Sequence, residues 1–354
     1  MSNPDQKINL TEYAHGAGCG CKIAPQVLQE MLQGHVQQQQ DKKLLVGNSD
    51  NDDAAVYLIN EEMALIATTD FFTPIVDDAF DFGRIAAANA ISDVYAMGGR
   101  PALALAILGW PIGKLSAALA SRVIDGAKTI CNEAGIVLAG GHTVDSQEPL
   151  FGLSVNGFVK RSALKQNNTA REGDLLFLTK PLGTGIMATA QKRKLLAAED
   201  LNTLVQQLTT LNKTGEQLGG CNWVSAMTDV TGFGLLGHLI EMCKGAGLSA
   251  ELNYGALKKV NHLDLYLAQN CIPDATYRNW NAYQKEVKMG EGINVMEAFQ
   301  LLPDPQTNGG LLFSVRENAL QEAQSLLTSA GLHEHIQPIG RMTAKGDCTL
   351  SVQK

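Results

Sequence analysis

The sequence predicts a mixed α+β (α/β) protein of two domains, and three observations carry that reading. The chain has 354 residues, room for two units of about 100–200 residues each. Short apolar runs with turn-rich ends alternate with longer segments whose apolar residues recur at helical spacing. That alternation occurs twice, on either side of the polar stretch "KRSALKQNNTAREG" (160–173), which reads as a connection. The expected division is an arm with its helix and linker over 1–45, an N-terminal domain over 46–160 and a C-terminal domain over 161–354.

The elements follow in order. After the glycine-rich "HGAGCGCK" (15–22), "APQVLQEMLQGH" sets Val27, Leu28, Met31 and Leu32 at helical spacing, with Pro25 near the helix start. "QQQQDKK" (37–43) is polar and aperiodic, an exposed tether. "KLLVG", "AAVYLI" and "MALIATTD" read as strands. "FGRIAAANAISDVYAMGG" is an alanine-rich helix that the Gly98-Gly99 pair stops. "PALALAILGW" is a strand, "AALASRVIDGAKTICNEAG" a helix, and "IVLAGG" a strand running into His142. In the second half "DLLFLTKPLG" is a strand and loop, 186–218 is mostly helical, and "SAMTD" is a strand. "FGLLGHLIEMCKGAG" is a glycine-capped helix and "GGLLFSV" a strand.

Composition narrows the function. Hydrophobic residues are 45% and charged residues 18%, an ordinary globular balance. A net charge of -8 with no long basic run argues against nucleic acid. It leaves ATP open, because carboxylates can hold the metal ions that carry a nucleotide. No window reaches the ~20 apolar residues of a membrane helix, and the polar start "MSNPDQKINL" is unlike a signal peptide. Seven scattered cysteines then read as reduced thiols in a cytoplasmic enzyme.

Four aspartates are the candidate chemistry. Asp53 precedes an apolar strand, and Asp70 and Asp229 stand toward the ends of apolar runs. Asp93 lies within the alanine-rich helix, four residues after Asn89 and on the same face. Carboxylates so placed can converge on a hard cation such as Mg²⁺, which takes one or two of them plus substrate phosphates. Caps and Asx-turns are the competing explanation for each aspartate taken singly. Asp93 resists it most, since a carboxylate inside an apolar helix needs a partner. Neither a P-loop nor a dinucleotide fingerprint is present. "AGGHTVD" and "KPLGTG" offer backbone N–H groups to a phosphate only as weakly as ordinary turns do.

The arm carries a thiol near a cation. Cys19 stands three residues before Lys22, and a nearby ammonium favours the thiolate. The Cys19-Gly20-Cys21 spacing is neither a redox CxxC pair nor half of a zinc site. A terminus with incidental cysteines is the alternative, and His15 fits a surface residue as well as a proton carrier.

Seven motifs in order, "HGAGCGCK", "NDDAAV", "TTDFF", "NAISDVYAMGG", "LAGGHT", "AMTDVTGFGLLGH" and "DPQTNGG", resemble the selenophosphate synthetase family, also called selenide, water dikinase. The match runs from about Leu10 to Gly340. The resemblance implies a two-domain fold like that of aminoimidazole ribonucleotide synthetase, a homodimer, and conversion of ATP, selenide and water to selenophosphate, AMP and orthophosphate. By motif it puts Cys19 at the catalytic thiol or selenol, Lys22 at an essential lysine that also contacts the nucleotide, and Asp53, Asp93 and Asp229 at magnesium positions. Asp70 and Asp93, the stretch Asp50, Asn51 and Asp52, and the stretch Gly141, His142 and Thr143 fall at nucleotide-binding positions. Potassium is a further candidate cofactor, and a selenium-delivery protein a candidate partner. Four positions depart from the family: many members carry selenocysteine where this chain has Cys19, Asn308 replaces the usual Ser, and Asp50-Asn51 replaces a more basic pair. The rivals are a small-metabolite kinase of the same superfamily and a selenium or sulfur carrier that ATP only regulates.

Overall fold

The computed structural model describes residues 8–21, 23, 27, 30–31, 41–47 and 52–354, with nothing given for the side chains of Cys19 and Cys21. The helix expected from Ala24 and the polar tether after it lie mostly outside the described residues, as do Lys22, Asp50 and Asn51.

The first half of the chain builds a six-stranded sheet. Its strands are β1 (Leu44–Val46), β2 (Ala55–Leu58), β3 (Met63–Phe72), β4 (Arg100–Trp110), β5 (Val137–Asp145) and β6 (Leu150–Lys160), in the order β1-β2-β3-β6-β4-β5. Only the β4–β5 pair is parallel. β6, for which the sequence carried no expectation, inserts between β3 and β4. Gly152 and Gly157 interrupt it, and interior glycine weakens a strand's local signal.

Two helices, α1 (Ala79–Ala96) and α2 (Ala117–Glu133), follow β3 and β4. Asp78 caps α1 by accepting from the Asp81 N–H at 3.0 Å, a bond of the type worth about 1 kcal/mol. Alanine on most sides lets α1 be buried nearly all round, as expected of a helix apolar on every face. Against α2 the backbones nearly touch: a Cβ on Gly83 would stand 1.8 Å from the Val123 carbonyl oxygen, and one on Gly126 2.0 Å from that of Phe80. Beyond α1, Gly98 takes φ +73° and ends the helix, where the glycine pair predicts.

The second half builds a seven-stranded sheet from β7 (Leu175–Leu178), β8 (Val224–Asp229), β9 (Ser249–Asn253), β10 (Val287–Met289), β11 (Leu311–Val315), β12 (Gly340–Thr343) and β13 (Leu350–Gln353). Their order is β10-β13-β9-β12-β7-β11-β8. Helices α3 (Thr184–Lys192), α4 (Ala198–Thr209), α5 (Thr214–Gly219), α6 (Gly234–Ala246), α7 (Leu263–Ala268) and α8 (Asp274–Tyr283) surround it. α1 touches β3 and β6 on one side and β8, α4 and α5 on the other. One buried apolar cluster therefore runs from Ile66 and Ile91 through to Leu204 and Ala226, and α1 is the wall that the two halves share.

Candidate active site

The seam along α1 collects the aspartates. Alternation along β3 turns Thr68 and Asp70 to its buried side while Thr69 and Phe71 are exposed. The helical repeat then sets Asn89 and Asp93 of α1 toward those two strand residues. Asn89 Nδ2 donates to Asp70 Oδ2 at 2.7 Å, and Thr68 Oγ1 donates to Asp93 Oδ2. On the neighbouring stripe of α1, Ser92 Oγ donates to Asp229 Oδ2 at 2.5 Å, with Asp229 at the end of β8. Asp53 joins the two halves directly: its Oδ1 accepts from Thr228 Oγ1 at 2.8 Å.

The electrostatics follow from this crowding. Burial, then the charges of Asp229, Asp52 and Asp93, pushes the Asp53 carboxyl well above the usual carboxylate range. Asp53 Oδ2 is buried and has no hydrogen-bond partner among the described residues. These carboxylates sit apart all the same: Asp53, Asp93 and Asp229 do not bring three oxygens within 4.8 Å of one another, whereas the exposed Glu199 and His262 and the buried Asp200 do bring their ligand atoms that close. A wider spacing suits ions that share carboxylates with phosphate oxygens, since Mg²⁺ often takes only one or two carboxylates.

Several residues of the seam went unread in the sequence. Asn212 Nδ2 donates to Ser92 Oγ and to the Gly309 carbonyl, each at 2.8 Å, so Ser92 relays a hydrogen bond to Asp229. Lys180, in the "KPLGTG" loop after β7, is buried and donates to the carbonyls of Thr210 at 2.7 Å and Asn308 at 2.8 Å. Burial pulls its pKa down to about 7 against the opposing charge of Asp229. Adjacency was the available signal for two of them, Ser92 beside Asp93 and Thr228 beside Asp229. Asn308 has φ +45°, a conformation asparagine tolerates. Its N–H donates to Asn89 Oδ1 at 2.7 Å, and its amide donates to the carbonyls of Leu208 at 2.8 Å and Thr210 at 2.9 Å. A serine hydroxyl has one donor and could not make both amide bonds.

Gly141, His142 and Thr143 are elsewhere. They belong to β5, an exposed edge strand, and not to a turn. Two strands separate β5 from β3, about 14 Å at the usual strand spacing. Within one chain the sheet order keeps them from the aspartate seam.

The arm packs beside the loop that carries Thr307 and Asn308. Its turn Gly18–Cys21 is a single 3-10 turn packed against β3 and α8. Gly18 has φ +52°, and a Cβ there would lie 2.6 Å from Thr307 Oγ1 and from Ile75 Cδ1. Cys19 is therefore in a turn next to the loop that holds Asn308, while its side chain and all of Lys22 lie outside the described residues. Burial pushes Cys131 up to about 11 and Cys243 up to about 12, which makes those two thiols poor nucleophiles.

Residues 51–159 match the AIR synthase related protein, N-terminal domain, and residues 171–353 its C-terminal domain. Selenide, water dikinase of Pseudomonas aeruginosa is 50% identical over 349 residues, covering 98% of this chain and 99% of that protein. The protein of the same name from Shewanella sp. strain W3-18-1 is 52% identical over 336 residues, 94% of this chain and 93% of its own. The chain belongs to the selenide, water dikinase family. That family is one of kinase-type enzymes, and the fold is shared more widely. Thiamine-monophosphate kinase from Stenotrophomonas maltophilia superposes with a TM-score of 0.64 at 21% identity, covering 94% of this chain and 96% of that one. Hydrogenase maturation protein HypE in complex with ATP does so with a TM-score of 0.63 at 18% identity, covering 96% and 90%. Among the described residues no helix is long and apolar enough to cross a membrane.

Proposed function

We propose that this chain makes selenophosphate, taking ATP, selenide and water to selenophosphate, AMP and orthophosphate. The observation that carries the reading is the aspartate seam with a cysteine-bearing arm packed against its Thr307–Asn308 loop, in a chain about half identical to selenide, water dikinases over nearly its whole length. The orphaned Asp53 Oδ2 and the carboxylates crowding it fit a hard divalent cation, which would remove the repulsion that lifts the Asp53 pKa. Asp53, Asp93 and Asp229 would hold magnesium, which would offset the negative charge that develops in phosphoryl transfer.

The chain's own residues do the rest. Thr68, Ser92 and Thr228 orient the three carboxylates, and Asp70, held by Asn89, faces the nucleotide. Asp50, Asn51 and Asp52 contribute further nucleotide contacts. Lys22 comes to the phosphates and Cys19 to the selenide. The arm acts as a lid that keeps water from a phosphorylated intermediate. The working units are the arm over 1–45, the ATP- and magnesium-binding domain over 46–160 and the C-terminal domain over 161–354.

A homodimer accounts for the first sheet's second face. That face leaves Tyr57, Phe71, Leu103, Leu105 and Phe158 exposed at 39–47% of their surface, an apolar patch of the kind that marks an interaction site. A second copy laid on it would also give Gly141, His142 and Thr143 a place near a nucleotide.

The test is anaerobic phosphorus NMR of the wild-type chain and Cys19→Ser with ATP, magnesium and selenide. Selenophosphate with AMP and orthophosphate from the wild type, lost in the variant, is the expected result. Product from both would keep the activity and remove Cys19 from it. ADP as the only nucleotide product, or no turnover by folded protein, would reject the reading.

A further inference from the structure

The arm stretch from Ala14 to Gly20 is gripped through its backbone at five residues by groups from both halves of the protein. Lys192, in the last turn of α3, donates through Nζ to three successive carbonyl oxygens: Ala14 at 2.9 Å, His15 at 2.7 Å and Gly16 at 3.0 Å. An ammonium has three N–H donors and no acceptor, so Lys192 commits its whole hydrogen-bonding capacity to this stretch. Arg278 on α8 donates to the Gly20 carbonyl at 2.8 Å. From the first half, Glu148 accepts from the His15 N–H at 3.1 Å and pairs with the His15 ring. The Gly18 N–H donates to the Thr73 carbonyl at 3.2 Å.

We propose that Lys192 is a positioning residue for the reaction, fixing the register of the arm so that the thiol-bearing turn arrives over the aspartate seam. The proposal rests on the reading of Cys19 as the reacting thiol. The route from clasp to site is short. Two residues after the last carbonyl that Lys192 holds, Gly18 stands against Thr307. Thr307 precedes Asn308, which holds Asn89, which holds Asp70. Slipping the arm by one carbonyl moves every following Cα by up to about 3.8 Å, and a misplacement of about 1 Å already costs on the order of 10²-fold in a reaction of aligned groups. Charge alone does not make this clasp. Three carbonyls converging on one point suit a compact ammonium, whereas a planar guanidinium fork spreads its donors in one plane.

The experiment is hydrogen–deuterium exchange on the full chain, read on the peptide spanning residues 10–21, together with steady-state selenophosphate formation. The proteins are wild type, Lys192→Met, Lys192→Arg and Lys194→Ala. Lys194 pairs with Glu12 at 2.6 Å on the surface beside the clasp and serves as the neighbour control. In Lys192→Met the arm amides are expected to exchange about tenfold faster or more, since charge-assisted bonds to three carbonyls are gone. In the same variant kcat is expected to drop about tenfold or more, with the KM for ATP changed by less than about twofold. Lys192→Arg falls between, and Lys194→Ala matches the wild type in both readouts.

Unchanged exchange in Lys192→Met overturns the proposal, as does a loosened arm with wild-type kcat. If Lys192→Met melts early, Lys192→Arg decides by the same two readouts. Absence of selenophosphate from the wild type would overturn the functional reading instead. The exchange comparison then judges the clasp alone, a loosened arm supporting it and an unmoved arm overturning it.

Discussion

The floor of the site and the arm above it are held by opposite means. On the floor, side chain binds side chain: Thr68 to Asp93, Ser92 to Asp229, Thr228 to Asp53, Asn89 to Asp70, all with at least one fully or nearly buried member. In the arm, the holding runs mainly through the backbone: side chains from elsewhere bind successive carbonyls, and the arm's own side chains add exposed pairs such as His15 with Glu148. Buried polar groups in a low-dielectric seam are costly when unpaired, so the floor cannot shift without losing stability. Backbone bonds at the surface can open and be replaced by water at small cost. A fixed floor under a releasable arm is the arrangement expected of a site that must admit substrate and then exclude water.

The comparison can be broken most sharply at the floor. Asp229→Asn removes a charge where a cation would sit, and metal-dependent ATP turnover should fall by about 10²-fold or more. Turnover near the wild-type rate at limiting magnesium would remove Asp229 from the ligand set.

Asn89→Ala cuts the link between Asp70 and Asn308. Each bond it loses leaves a buried group unsatisfied, so urea unfolding should show a loss of about 1–3 kcal/mol, with a fall in ATP turnover. A variant as stable as the wild type would show that water replaces the amide, and the floor would be less rigid than its bonds suggest.

Lys180 offers a pH-dependent view of the same seam. Its folded pKa of about 7 lies below the unfolded value of about 10.4, so between those values the unfolded chain binds more protons. Stability contributed at this site therefore rises as pH rises from about 7 to 10, by at most about 1.4 kcal/mol per unit. Below pH 7 that slope vanishes. Urea midpoints of wild type against Lys180→Met across pH 6–10 measure it, and parallel curves would show that Lys180 stays charged when buried.

The smallest effect is expected in the arm. Arg278→Ala removes one surface bond to the Gly20 carbonyl. It should slow product formation by a few-fold while shifting stability by less than about 1 kcal/mol. A loss of stability as large as that of Asn89→Ala would erase the distinction between the two regions.

Much of this architecture was legible from residue order, and the limit falls at contact range. Apolar periodicity located α1, α2 and α6, five of the six strands of the first sheet and three of the seven of the second, because those patterns follow from the repeats of helix and strand. The i,i+4 spacing of Asn89 and Asp93 placed both on one face of α1, where each indeed meets β3. Whether an aspartate was a cap or a site residue could not be told locally, since either explanation needs only a strand or helix end.

Tertiary structure decided what crosses the molecule. Asp53 meets Thr228 across a sequence separation of 175, and Asn89 meets Asn308 across one of 219. Neither contact has a local signature. The insertion of the glycine-broken β6 between β3 and β4 carried Gly141, His142 and Thr143 to the far edge of the sheet, against the simple expectation that motifs of one site lie together in one chain. The Lys192 clasp was invisible for the same reason: its acceptors are backbone carbonyls, which every residue carries. Residue order specifies local conformation and the inventory of chemical groups. Which groups meet is set by packing two sheets against one helix, because only burial makes those distant pairings obligatory.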